Sequence, residues 1–174
     1  DRPLVGVVDL LSLHLWRFRG VAGERMEAVP LEASMPVYER AFLARQALID
    51  TLGSLDDDLL EHIVMLDEGE AVDVSLVQAA LRRLTLAGRV CPVLCGAAAV
   101  NIGVQPLLDA VHRYLPSPAD RPHVRGVLEP DTPRAREVDV ALSDATPAAL
   151  AFKVVWDRRR GPITFVKVYA GTLH

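Results

Sequence analysis

The spacing of hydrophobic and polar residues changes several times along the chain, and each change marks an element. Residues 4–18, LVGVVDLLSLHLWRF, carry no helical stripe. Leu11, Leu13 and Leu15 alternate with Ser12, His14 and Trp16, which predicts two strands with a bend near Asp9. Gly20 and Gly23 mark a loop, and a short strand is predicted over residues 26–30. From 36 to 52 the period becomes helical. Tyr38, Ala41, Phe42, Leu48, Ile49 and Leu52 share one stripe, Pro36 suits a first turn and Gly53 a stop. A second helix is predicted after the acids at 56–58, with Leu59, Leu60, Ile63 and Val64 inward, since acids in a first turn complement the helix dipole. A third is predicted from Ser75, with Ser75 and Gln78 as a capping box and Gly88 at the end. Its inward residues are predicted to be Leu76, Ala80, Leu81 and Leu84.

Residues 90–95 form a continuous apolar run, the pattern of a strand buried on both faces in a parallel sheet. Small residues follow from Gly96. A helix is then predicted over about 104–115, with Leu107, Leu108, Val111 and Leu115 on its buried side. Strand, loop and helix in this order make half of a βαβ unit. Pro116-Ser117-Pro118 is a stiff break, and 119–147 reads as a linker with at most one weak strand. Residues 148–157 and 162–171 read as two strands closed into a hairpin by Asp157-Arg-Arg-Arg-Gly161. A lone helix-backed strand lacks partners in this pattern, and a closing hairpin is rarely stable alone. The chain therefore reads as a piece of something longer, an expectation that its start without Met reinforces.

Composition narrows the class. A chain of 174 residues, 51% hydrophobic and 24% charged, is one folded domain or slightly more, not a disordered segment. A net charge of −4 argues against a diffuse basic surface for nucleic acid. Cys91 and Cys95 in one strand would lie about 13 Å apart at ~3.3 Å per residue, too far for a disulfide. They read as core thiols in a reducing compartment. The apolar stretch 90–111 is broken by Pro92, Asn101, Gln105, Pro106 and Asp109, so it does not read as a spanning helix, and no signal peptide is visible.

The five histidines are scattered without ligand spacing, so no metal site is expected. No G-x-S-x-G, Walker A or G-x-G-x-x-G motif occurs, and no nucleophile, base and orienter gather, so no catalytic residue is assigned. Two features carry candidate chemistry. Between 56 and 73 stand eight acids and no Lys or Arg: Asp56, Asp57, Asp58, Glu61, Asp67, Glu68, Glu70 and Asp73. Such a run is either a solvated helical face or a docking surface for a basic partner. The loop Cys95-Gly96-Ala97-Ala98-Ala99 lies at the carboxyl end of a parallel-type strand, where open α/β sheets bind ligands. Its tiny side chains would admit a ligand to the backbone N–H groups; close strand–helix packing explains them equally well. Arg158-Arg159-Arg160 reads as an exposed turn or a phosphate contact.

Longer blocks are more distinctive. CPVLCGAAAVNIGVQPLLDAV from Cys91 to Val111, followed by Tyr114-Leu-Pro-Ser-Pro118, resembles the end of the GTP-binding domain of elongation factor G. That family carries P-V-x-x-G-S-A-x-x-N-x-G-V-Q-x-L-L-D-A-V and then Y-L-P-S-P. Leu150-Ala-Phe-Lys-Val154, Asp157, Gly161 and the run Thr164–Leu173 resemble the opening of its second domain. Gly6-Val-Val-Asp-Leu10 is similar to the G-x-x-D-L entry of its insertion subdomain, which Asp57-Asp58 and Gly69-Glu70 match loosely.

The resemblance implies an α/β chain in three parts: an insertion subdomain over 1–89, the last strand, base-binding loop and helix of a P-loop GTPase domain over 90–116, and a linker with the first strands of a β-barrel over 117–174. It implies that Gly96, Ala97 and Ala98 contact guanine through backbone N–H, with Ala97 in place of the family's Ser. GTP or GDP would be held by the intact parent. The P-loop Lys and Ser/Thr that bind phosphate and Mg²⁺, and the N-K-x-D motif, are not in this sequence. The chain alone is thus expected neither to hydrolyse GTP nor to retain nucleotide. The implied partner is the ribosome, met by the acidic residues of the insertion at its basic stalk protein and by domain two at the small subunit. No membrane, no DNA and a cytoplasmic location follow. The implied activity is GTP-dependent translocation; ribosomal protection, release and recycling are the alternatives within the superfamily, and a non-enzymatic stalk-binding module is the alternative of another class.

Overall fold

The alternating N-terminal stretch folds as an antiparallel three-stranded sheet. Strand β1 (Gly6–Asp9) turns into β2 (His14–Arg19), and β3 (Arg25–Pro30) adds on the far edge, giving the order β1-β2-β3. The register pairs Gly6 with Arg17, Asp9 with His14 and Trp16 with Ala28. The bend predicted near Asp9 is built by that residue, whose Oδ1 accepts from the Leu11 N–H at 3.1 Å. The computed structural model describes residues 4, 6–67, 69–121, 123–128 and 131–173, in two units, Asp1–Leu115 and Pro116–His174.

Four helices complete the first unit: α1 (Tyr38–Gly53), α2 (Asp57–Met65), α3 (Val74–Leu86) and α4 (Val104–Tyr114). Their shared core is Ile49 and Leu52 from α1, Leu59 from α2, Val77, Ala80, Leu81 and Leu84 from α3, and Ala110 and Tyr114 from α4. Each fully buried leucine contributes about 1.5–3 kcal/mol, so Leu52, Leu59 and Leu84 anchor the bundle. Gly53 is not the left-handed stop that its position suggests. It is the last residue of α1, buried, and a Cβ there would stand 3.1 Å from Ile63 Cδ1. Glycine at this point lets α2 close against α1.

Several inward faces differ from the predicted ones. In α2, Leu59 is buried and Ile63 half-buried, whereas Leu60 and Val64 are exposed, because this nine-residue helix touches its neighbours along a narrow line. In α3, Val77 takes the inward place predicted for Leu76. The helix begins one residue earlier than predicted because Asp73 caps it, its Oδ1 accepting from the Ser75 N–H at 2.8 Å. A carboxylate is a strong N-cap acceptor, and the Ser75–Gln78 box does not form. The predicted end holds: the Gly88 N–H donates to Thr85 O at 3.0 Å and the Arg89 N–H to Leu84 O at 2.9 Å, a Schellman closure.

The largest correction concerns residues 90–95. They form no strand and join no β-ladder among the described residues; Val93 is 86% exposed, and Cys91 and Cys95 are exposed thiols rather than core ones. A buried strand takes its ladder and its burial from neighbours on both sides, and the described residues supply neither. The face of α4 is reversed too. Pro106, Ala110 and Tyr114 are buried, and Leu107, Leu108, Val111 and Leu115 stay exposed. Arginines tie these pieces. Arg45 donates to Leu11 O at 3.1 Å and to Val72 O at 3.2 Å, and Arg82 Nη1 meets Arg113 O at the carboxyl end of α4. Cations suit such helix ends.

In the second unit, residues 119–147 hold two strands rather than one weak one. Strand β4 (His123–Leu128) pairs antiparallel with β5 (Arg136–Ala141), Gly126 opposite Val138. Charged Arg125, Arg136, Glu137 and Asp139 interrupt the alternation, which hid both strands. The predicted hairpin is present as β6 (Ala148–Asp157) and β7 (Gly161–Ala170). Its tip is organised by Asp157, whose Oδ1 accepts from the Arg159 and Arg160 N–H groups at 2.8 Å each. Ala170 is the one buried hydrophobic of this unit among the described residues, while Phe152, Val154, Trp156 and Val168 are exposed. No helix among the described residues is long and apolar enough to cross a membrane.

Candidate functional site

Gly96 and Gly103 pinch the neck of the small-residue loop. A Cβ on Gly96 would stand 2.5 Å from Ile102 O and 3.3 Å from Gly103 Cα; one on Gly103 would stand 2.7 Å from Cys95 O and 3.0 Å from Gly96 Cα. Only glycine at both positions lets the incoming and outgoing backbones touch. Within the neck Ala97 and Ile102 exchange both backbone hydrogen bonds, at 2.8 and 3.1 Å. Residues Ala98–Val100 then make one 3₁₀ turn, closed by Asn101 in the left-handed region at φ 57°.

The hydrogen-bond accounting leaves donors over. The Ala97 N–H is committed to Ile102. The Ala98 and Ala99 N–H groups open a helical turn and donate to no backbone carbonyl among the described residues. Gly96 and Ala98 are exposed and Ala97 is half-buried, and none of the three carries a side chain larger than methyl. Two adjacent amides framed by methyl groups can receive a flat polar edge, such as a base carbonyl.

The β2–β3 loop meets the same place. Gly23 is buried, and a Cβ there would stand 2.8 Å from Val100 O and 3.3 Å from Asn101 O. Gln105, in the first turn of α4, donates from Nε2 to Gly23 O at 3.2 Å. Sequence reasoning missed this contact. Its one local trace is a second glycine shortly after Gly20.

The acidic run divides by role. Asp56 is buried and faces inward, where Arg83 donates from Nε to Oδ2 at 3.0 Å and from Nη2 to Oδ1 at 2.6 Å, and the Leu59 N–H reaches Oδ1 at 2.9 Å. The Arg83 hydrogen bonds hold its carboxyl below the usual carboxylate range; the Leu59 N–H adds to this, and burial opposes it. Asp73 is the α3 cap, its carboxyl lowered chiefly by the Ser75 backbone N–H. Asp58 stands 3.5 Å from Arg83 Nη2. Asp57, Asp58 and Glu61 are exposed on α2, and Asp67 and Glu70 are exposed on the connection to α3. Glu68 lies outside the described residues. Exposed Leu60, Val64 and Met65 lie in the same helix, so its outer side is acidic and apolar together.

Two clefts lie elsewhere, in the second unit. One of about 440 Å³ is lined by Ala119, His123, Ala141, Leu142 and Ser143, and neither it nor the next includes residues 96–98 or α2. Among the described residues no group of three His, Cys, Asp or Glu is placed to hold a metal ion.

No family model matches the chain. Elongation factor G of Fervidobacterium nodosum is 38% identical to it over 176 residues, covering 99% of this chain and 24% of that protein. Mitochondrial ribosome-releasing factor 2 of Rattus norvegicus is 39% identical over 178 residues, covering 99% of this chain and 21% of that protein. Its counterpart in Yarrowia lipolytica is 37% identical, with 99% and 23% covered. The chain is homologous to the elongation factor G-like proteins. The chain spans about a quarter or less of the length of the curated relatives it matches. Its fold is shared with a crystal structure from Thermus thermophilus, at TM-score 0.67 and 24% identity, covering 96% of this chain and 21% of that one. Mixed helix and sheet content agrees with the expected α/β class. Residues 91–111 build the pinched loop and most of α4.

Proposed function

We propose that this chain is part of a translational GTPase and carries the loop through which that protein holds the guanine base. The observation that carries the reading is the loop of residues 96–103. Its neck is closed by two glycines, its Ala98 and Ala99 amides lack backbone acceptors among the described residues, and its sequence lies in the block similar to elongation factor G. Replacing the family's Ser by Ala97 removes a hydroxyl and leaves the backbone donors. The residues present therefore fit a guanine nucleotide. When bound, GTP supplies a cleavable phosphoanhydride. This chain's residues orient the base, and the phosphate and Mg²⁺ are held by residues of the parent outside it.

On this reading 1–89 is the insertion subdomain, 90–116 closes the GTP-binding domain, and 117–174 opens a β-barrel. The exposed Val93, Leu94, Leu107, Leu108 and Val111 are the apolar surface that neighbouring GTPase elements would cover. The exposed acids Asp57, Asp58, Glu61, Asp67 and Glu70 form the docking surface for a basic ribosomal protein, and the second unit meets the small subunit. Asp56 belongs to the fold of that surface rather than to its contacts. The parent works on cytoplasmic ribosomes, driving translocation of tRNA and mRNA. A second reading, ribosome release, is favoured by the 39% identity to ribosome-releasing factor 2.

The test is GTP hydrolysis by the intact protein with and without ribosomes. Stimulation by ribosomes is expected, and tRNA–mRNA movement against subunit release then separates the two readings. Hydrolysis indifferent to ribosomes contradicts both.

A further inference from the structure

Two elements meet at the loop, the adjoining first turn of α4 and the β2–β3 turn, whose Gly23 lies 82 residues before Gln105 in sequence. Gly23 is buried with its Cα against the carbonyls of Val100 and Asn101, so close that any side chain would push the 3₁₀ turn. Gln105 clamps the Gly23 carbonyl from the other side at 3.2 Å. The Gln105 Oε1 is buried without a partner among the described residues, so its amide is set there for the donor alone.

We infer that the β2–β3 turn is a positioning element for the guanine-base loop, acting through the Gly23 backbone and the Gln105 side chain. Free amides bind a ligand edge well only when their spacing is fixed beforehand. The 3₁₀ turn of Ala98–Val100 is too short to fix itself, since a single turn has few bonds of its own. Its inner side is held by the Ala97–Ile102 bonds, and its carbonyl side by Gly23. Base affinity is therefore tied to the N-terminal sheet, and a displacement of that sheet changes the spacing of the amides. The inference rests on the reading of residues 96–98 as a base-binding loop.

Gly23→Ala and Gln105→Leu test it, with Gly20→Ala as control. Gly20 and Gly23 both have positive φ, +96° and +62°, so both substitutions strain the backbone. The three atoms nearest a Cβ at Gly20 all belong to the flexible Glu24 carboxylate. In the 174-residue chain, amide hydrogen exchange is expected to speed up about tenfold at Ala97 and Ile102 in Gly23→Ala and Gln105→Leu. Gly20→Ala and the Val77 and Leu81 amides of α3 are expected to stay unchanged. In the intact protein the same two substitutions weaken binding of a fluorescent GDP analogue about 5–10-fold, against no change for Gly20→Ala. Ala98→Pro, which deletes one of the amides, separates the two ideas. If Ala98→Pro weakens GDP binding and Gly23→Ala does not, the positioning inference is overturned and the base-loop reading stands. If Ala98→Pro leaves GDP binding intact, the base-loop reading fails and takes the inference with it.

Discussion

Arg83 of α3 grips both carboxylate oxygens of Asp56, at 3.0 and 2.6 Å, while Asp56 also caps α2 through the Leu59 N–H at 2.9 Å. The first acid of the acidic run is thus a lock between two helices. Asp56→Ala removes the cap and the charge-assisted pair and is expected to cost about 2 kcal/mol. Asp56→Asn keeps the cap and is expected to cost about half of that. Exposed Asp57→Ala stays within about 0.5 kcal/mol of the parent chain. Urea unfolding midpoints check all three; an Asp56→Ala chain as stable as the original contradicts the lock.

Acid stability follows from the same carboxylates. Asp56 and Asp73 have pKa values lowered in the folded chain, below the ordinary 3.8, by hydrogen bonds to Arg83 and to the Ser75 backbone N–H respectively. A depressed carboxylate contributes stability that is fully present above its unfolded pKa and is lost as pH falls through the folded one. The urea midpoint is therefore expected to hold between pH 7 and 5 and to drop below about pH 4. Asp56→Asn flattens that drop. A midpoint that rises on acidification contradicts the assignment.

Cys91 and Cys95 are exposed. In the folded 174-residue chain both thiols are expected to react with an aromatic disulfide reagent about as fast as in urea. In the intact protein, where neighbouring strands are proposed to cover residues 90–95, labelling is expected to slow at least about tenfold. Equal rates in both contexts contradict the proposed cover.

The exposed acids of α2 are expected to act through charge. Asp57→Lys with Glu61→Lys should raise the ribosome concentration needed for half-maximal GTP hydrolysis several-fold at low salt. The difference should shrink as added salt screens it. A double variant with unchanged ribosome dependence removes the acidic face from the account.

The sheet β1-β2-β3, helices α1 to α3 and the hairpin β6–β7 were legible because their patterns report on themselves: alternation for strands, a 3.6-residue stripe for helices, glycine or aspartate at the ends. What was not legible depends on neighbours. The stripe Leu107, Leu108, Val111 and Leu115 announces an apolar face but not what covers it, and Pro106, Ala110 and Tyr114 proved to be the buried residues of α4. The run 90–95 has the composition of a buried strand and, among the described residues, no strand to lie beside. Asp73 outcompeted Ser75 as a cap, a choice settled by two residues of register. In the candidate site, the small residues at 96–98 were visible, but the contact of Gly23 with Val100 was not, since nothing local links two loops so far apart in sequence. The acidic run was visible as charge, yet the inward turn of Asp56 depends on where Arg83 stands.

The central claim is that the Ala98 amide receives the guanine base. The most direct measurement is the equilibrium affinity of the intact protein for GDP with Ala98 replaced by proline, which deletes that one N–H and adds no charge. The account predicts a loss of about tenfold, the worth of one buried hydrogen bond, with binding of the nucleotide's phosphate moiety alone, probed with pyrophosphate, unchanged. GDP affinity equal to that of the unsubstituted protein contradicts it.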